Sequence, residues 1–158
     1  VDHLFSAVYT DGPQVAIDYW RKTNYRQGRI VLLGSVAGRL IGLESPSYHI
    51  AKAGIAHLTK YLAVSAGEYG VRVNDVSPGF IVKDEHRARF EQPDNEEYRL
   101  AAARIHPVSR VGSSDDVAEA VLFLVSDKSS YITGHSLNID GGTSVQEQWL
   151  VATRETGL

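Results

Sequence analysis

The residues best suited to chemistry are a serine, a tyrosine and a lysine within the stretch GSVAGRLIGLESPSYHIAK, residues 34–52. Ser35 ends an apolar run that begins near Arg29 and closes at Leu33; Tyr48 comes 13 residues after it, and Lys52 follows at i+4. Residues i and i+4 share a helix face, so the Lys52 ammonium can stand near the Tyr48 phenol. The loop between is long enough to bring the Ser35 hydroxyl back toward both. A hydroxyl donor, a phenol as acid/base and a cation to tune it make a set for moving one proton at an alcohol or carbonyl oxygen. Singly, each has an ordinary explanation. Tyr and Lys one turn apart are commonly a solvated pair, and a strand-end Ser often bonds its own backbone. The order and spacing of the set carry the reading.

Positioning them takes a strand, a turn and a helix. Ile30 to Leu33 is a continuous aliphatic run, expected to be a strand buried on both faces, the habit of parallel sheets. Ser45 or Ser47 is placed to cap a helix lasting to Glu68, with Gly70 just past its end. The small residues Ala51, Ala53, Gly54 and Ala56 would let a second backbone come close. Val71 to Val76 reads as a short strand ended by Ser77-Pro78-Gly79. Upstream, Leu4, Phe5 and Val8 have helical spacing, and Asp11-Gly12-Pro13 starts a second helix to about Tyr25, which Gly28 is expected to stop. Residues 84–105 are charged and interrupted at Pro93, a flap of two helical pieces. Ser113 with Asp116 is a capping-box start for a helix over 115–126, with the stripe Val117, Ala120, Val121 and Leu124. Ser136 to Ile139 gives a last strand, ended by Asp140-Gly141-Gly142, and the polar tail 143–158 is expected to dock on a neighbour or fray. Helix and strand alternate, which builds an α/β fold with a parallel sheet. With three clear strands, Ile30 to Leu33 falls at an open edge, an aggregation liability unless something pairs with it.

The 158 residues suit one domain, and 43% hydrophobic with 22% charged residues is an ordinary globular balance. A net charge of −3 points to neither nucleic acid nor an anionic membrane as a partner. The absence of cysteine excludes disulfides and thiolate metal sites, and is compatible with a cytoplasmic home. No apolar run reaches the ~20 residues that span a bilayer. The six histidines never take HExxH or a comparable spacing, so no metal site is expected. A nucleophile elbow needs glycine two residues either side of its serine, where Ser35 has Leu33 and Ala37. The chain opens on Val1 inside a helical pattern, and is expected to be part of a longer polypeptide.

Taken in order, GRIVLLGSVAG, YHIAK, RVNDVSPGF, HPVSRVGSSDDVAEAVLFLVSD and YITGHSLNIDGG resemble the C-terminal part of the short-chain dehydrogenase/reductase domain, from Val1 to about Ser144. The resemblance implies a Rossmann-type, doubly wound parallel sheet, without its N-terminal dinucleotide-binding half in these residues. Residues 1–144 would form the C-terminal part of one domain, with a flap over 84–106, and 145–158 a tail. It further implies an NAD- or NADP-dependent oxidoreductase interconverting a small secondary alcohol and its ketone or aldehyde. Ser35 would hydrogen-bond the substrate oxygen, and Tyr48 would be the general acid in reduction and base in oxidation. Lys52 would hold the nicotinamide ribose and favour the phenolate of Tyr48, since a nearby cation lowers a phenol's pKa. Pro78, Gly79 and Ile81 would line the nicotinamide. The helices around 13–26 and 47–69 would pack against a partner subunit in a homodimer or homotetramer.

Three departures accompany the resemblance. Tyr9 stands where many relatives have a helix asparagine that wires a water relay to the lysine. Lys83 replaces a threonine often found after the Pro-Gly turn. The glycine-rich TGxxxGxG turn, whose helix N-terminus meets the pyrophosphate, does not occur in these residues. A second reading follows from that last departure: a non-catalytic remnant serving as an association module, or a chain that needs a separate N-terminal partner.

Overall fold

A computed structural model of the chain describes residues 12–156. The helical spacing expected over residues 1–11, and Tyr9 with it, lies outside the described residues. Helix α1 (Gly12–Thr23) starts at Gly12-Pro13 and buries Pro13 and Ile17. It ends earlier than expected. Asn24 takes the left-handed conformation, φ 54°, that terminates helices, and Tyr25 N–H turns back to the Trp20 carbonyl at 2.9 Å. Gly28 has a different duty: a β-carbon there would lie 2.4 Å from the Trp20 ring.

Strands β1 (Arg29–Leu33), β2 (Arg72–Pro78) and β5 (Ser136–Ile139) form one parallel sheet in the order β1-β2-β5. Arg29 aligns with Arg72 and Leu33 with Val76, while Asp75 to Pro78 align with Ser136 to Ile139. The two-residue strands β3 (Ile81–Val82) and β4 (Gly112–Ser113) pair in parallel beside it. The expected two-face burial of the aliphatic strand does not hold. In β1 only Leu32 is buried and Leu33 is 51% exposed, because no described strand lies beyond it. The strand that is buried is β2, which is central, and there Asn74, Asp75 and Ser77 go inside with Val73 and Val76.

Helix α2 (Pro46–Gly67) begins at Ser45, whose Oγ accepts the Tyr48 N–H at 3.3 Å. Its sheet-facing residues include Lys52, Ile55, Thr59, Leu62, Ala63 and Ala66. Leu62, Ala63 and Ala66 join Ile17, Val71 and Val73 in the core on that face of the sheet. Burying the larger of these, Ile17, Leu62, Val71 and Val73, stabilises by about 1.5–3 kcal/mol each. Helix α5 (Ser114–Val125) covers the opposite face, starting at the expected capping box between Ser113 and Asp116. Arg110 adds a two-pronged bond to Asp116, both contacts at 2.7 Å. That pairing, helped by the Ser113 N–H and partly opposed by burial, holds the Asp116 carboxyl well below the usual carboxylate range.

The flap consists of α3 (Asp84–Phe90), a 3₁₀ turn Pro93–Asn95 and α4 (Glu96–Arg104), the two pieces that Pro93 implied. The tail is better ordered than expected. It makes a 3₁₀ turn at Thr143–Val145, a bond from Gln146 to the Ile105 carbonyl, and helix α6 (Gln148–Thr156). Among the described residues, no helix is long and apolar enough to cross a membrane.

Candidate active site

In a parallel sheet all strands end on one side, and ligands of such folds bind at that carboxyl edge. Ser35 leaves the end of β1 in extended conformation and caps a 3₁₀ turn, Val36–Gly38, its Oγ accepting the Ala37 N–H at 3.1 Å. That bond uses a lone pair, so the hydroxyl hydrogen can be given to another oxygen. Gly38 sits against α2: a β-carbon would fall 2.8 Å from the Lys52 carbonyl. The close approach expected from the small residues of α2 thus occurs at Lys52–Ala53. At Gly54 there is open space.

The i, i+4 relation holds as expected. Lys52 Nζ lies 5.5 Å from the centre of the Tyr48 ring, within cation–π range. Lys52 is only 8% exposed and donates to the Leu33 carbonyl at 2.9 Å. Burial pushes its pKa below the ordinary lysine value. Tyr48, 36% exposed, is open to solvent. The peptide that receives Lys52 is two residues before Ser35, so the turn carrying the serine and the helix carrying the other two are tied at this point.

Several fixing contacts have no signature in the sequence. His49 Nδ1–H donates to the Ala37 carbonyl at 2.7 Å while Nε2 faces the Gly42 N–H at 3.4 Å, which sets the tautomer and braces the loop before α2. Arg39 of the same loop bonds Asn138 of β5, which in turn donates to Ser144 at 3.0 Å. Asp75 is 0% exposed, its carboxylate receiving the Ser77 hydroxyl at 2.8 Å and that of Ser136. Gly34 leaves room for it, as a β-carbon there would be 2.7 Å from both Asp75 Oδ1 and Ser77 Oγ. His49 with Ala37, Asp75 with Ser136 and Arg39 with Asn138 are 12 to 99 residues apart and cannot be paired from one sequence.

Pro78 ends β2 and Gly79 follows it, next to the end of β5. Gly79 N–H donates to the Ile139 carbonyl at 3.0 Å, and a β-carbon at Gly79 would meet Asp140 Cβ at 2.7 Å. Ile81 is held in β3 opposite Gly112. The Pro-Gly turn is therefore on the same carboxyl edge as the Ser35–Tyr48–Lys52 corner. Asp140 is fixed below it. Its burial raises the carboxyl pKa, but bonds from Ser144 and from the Gly142 N–H outweigh that and leave it lowered. Among the described residues no group of three or more His, Asp or Glu could hold a metal ion.

Compared with known families, residues 4–144 match the family described as enoyl-(acyl carrier protein) reductase. An oxidoreductase from Burkholderia thailandensis, described as a short-chain dehydrogenase/reductase, superposes with a TM-score of 0.75 at 32% identity, covering 95% of this chain and 58% of that one. The chain belongs to the short-chain dehydrogenase/reductase family. An uncharacterised oxidoreductase of Schizosaccharomyces pombe is 46% identical over 115 residues, 73% of this chain and 43% of its own. ElxO with NADP bound superposes with a TM-score of 0.72 at 31% identity, covering 84% of this chain and 52% of that protein. The chain spans about half the length of the curated relatives it matches.

Proposed function

We propose that this chain is the chemistry-bearing part of an NAD- or NADP-dependent oxidoreductase that interconverts a small secondary alcohol and its ketone or aldehyde. One observation supports the reading above the rest: Tyr48 beside a buried Lys52 whose ammonium is anchored to the strand end that presents Ser35. Family membership and the NADP-bound relative agree with it. Ser35 gives its hydroxyl hydrogen to the substrate oxygen. Tyr48 hands its phenolic proton to that oxygen in reduction, or takes the alcohol proton in oxidation. A positioned acid/base of this kind contributes ~10²- to 10⁴-fold in rate. Lys52 presents its ammonium to the tyrosine ring and would hold the nicotinamide ribose. Pro78, Gly79 and Ile81 would form the wall against the nicotinamide. The cofactor supplies or accepts the hydride; the chain supplies alignment and the proton.

These residues fit the nicotinamide end of such a cofactor. For the pyrophosphate, the glycine-rich turn does not occur in the 158 residues, so the working enzyme would draw it from a preceding segment or a separate chain. Association as a homodimer or homotetramer would use α1 and α2, where Val15, Tyr61 and Val64 are exposed. The same exposed residues would also serve the second reading, an association module without catalysis.

Titration with NADH and with NADPH separates the two, read on whichever cofactor binds more tightly. The 158-residue chain alone should bind it weakly, and the complete polypeptide should bind it tightly. In the complete polypeptide Lys52→Ala should weaken binding about tenfold or more, as expected for loss of a charged hydrogen bond, and move the activity optimum to higher pH. No affinity in the complete polypeptide, or a Lys52→Ala variant with normal affinity and an unchanged pH profile, would leave the association module standing.

A further inference from the structure

Between the Pro-Gly turn and the flap lies a cavity of about 280 Å³ with two unlike walls. One is aromatic. Phe80, Phe90 and Tyr98 pack mutually, with ring centres 6.1–6.4 Å apart and Tyr98 edge-on to both phenylalanines. The other carries Lys83, His86 and Arg89. No Asp or Glu lines the space. Glu85 stands outside it, 3.8 Å from Lys83 and 3.5 Å from His86. Both contacts are exposed, where an ion pair is worth about 0–1 kcal/mol and yields easily to another anion. Arg89 is exposed too, but among the described residues its guanidinium has no ion-pair or hydrogen-bond partner, and it lines the same cavity as the rings.

We infer that this cavity takes a small organic anion, a carboxylate or phosphate on a compact aromatic or apolar body, and that Arg89 is its selecting residue. A neutral apolar molecule would cover the rings and leave Arg89 partly desolvated without a partner, which costs free energy. A bare inorganic anion would leave the rings unused. An amphipathic anion satisfies both walls, its body on Phe80, Phe90 and Tyr98 and its charge forked onto the planar guanidinium, with Lys83 adding a second positive group. Phe80 directly follows Pro78-Gly79, so the cavity adjoins the turn that would line the nicotinamide. That the occupant is the substrate rests on the oxidoreductase reading; that it binds does not.

The test uses the full 158-residue chain, without cofactor, and three probes: 3-phenylpropanoate, its neutral amide 3-phenylpropanamide, and inorganic phosphate. Binding is read from backbone amide NMR shifts over residues 80–98. The acid should bind about tenfold or more tightly than the amide, the return of one charge-assisted hydrogen bond. Phosphate should leave these amides unmoved at the same concentration. Arg89→Gln, an exposed change that the fold tolerates, should abolish the acid's advantage and leave the amide's affinity alone. Equal binding of acid and amide, an advantage that survives Arg89→Gln, shifts from phosphate as large as those from the acid, or no binding of acid or amide would each overturn the inference. Because no turnover is involved, loss of activity in Tyr48→Phe with intact probe binding would speak to the catalytic reading alone.

Discussion

The lysine is the residue on which the corner turns. Burial disfavours its charge, while the Leu33 carbonyl and the Tyr48 ring face offer it negative potential. The placement of Ser35 relative to that ammonium depends on Gly38, because any β-carbon there would push the 3₁₀ turn away from the α2 backbone. Gly38→Ala should therefore lower turnover of the complete enzyme by at least tenfold, at about 1.4 kcal/mol per tenfold, although no chemical group is removed. Unchanged kcat in a folded Gly38→Ala variant would show that the turn does not position Ser35. The nearness of Lys52 to Tyr48 was legible in the sequence because a helix period is local. The braces around them were not. His49 with Ala37, Arg39 with Asn138, and Asp75 with Ser136 are made by side chains whose partners only the fold brings near.

Among the elements, β2 holds the rest in register, and its polar residues do much of the holding. Arg72 donates to the carbonyls of Leu124, Ser126 and Ile132 and to Ser129 Oγ at 3.0–3.3 Å, tying the end of α5 to the sheet. Asn74 fixes the following loop through Ile132 and His135. Arg72→Ala should cost about 3 kcal/mol, since four partly buried acceptors lose a charged donor together, and denaturant unfolding would measure it. A loss below about 1 kcal/mol would mean that water replaces the guanidinium. Asp140, under the Pro-Gly turn, has a folded pKa below its ordinary value, so its contribution is present above the unfolded value and lost as pH falls through the folded one. Melting temperature should accordingly drop below about pH 4, and Asp140→Asn should flatten that part of the curve. An identical acid slope in the variant would assign the effect elsewhere. Helix pieces, the capping box and the Pro93 break could be read from the sequence since each has a local signal. The end of α1 at Asn24 in place of Gly28 could not, as it depends on how the chain meets Trp20.

For the whole molecule, the salient feature is the open side of β1. Arg72 N–H pairs with the Gly28 carbonyl and Gly34 N–H with that of Val76, so the even-numbered residues of β1 face β2 and the amides of Arg29, Val31 and Leu33 face away. Hydrogen exchange on the 158-residue chain should find Val31 unprotected and Val73 protected. In the complete polypeptide a pairing strand should protect Val31 as well. Fast exchange of Val31 in both would argue that no strand is added there. The sequence showed that this strand falls at an edge, but its aliphatic run implied burial on both faces, because apolarity records what a strand can bury and not which neighbours are present. The most direct measurement is turnover of the complete polypeptide with whichever of NAD(H) and NADP(H) it binds more tightly, wild type against Tyr48→Phe, with cofactor affinity and circular dichroism taken on both. The variant should keep its fold and bind cofactor within a few-fold, while turnover falls by ~10²-fold or more. Wild-type turnover in Tyr48→Phe would contradict it.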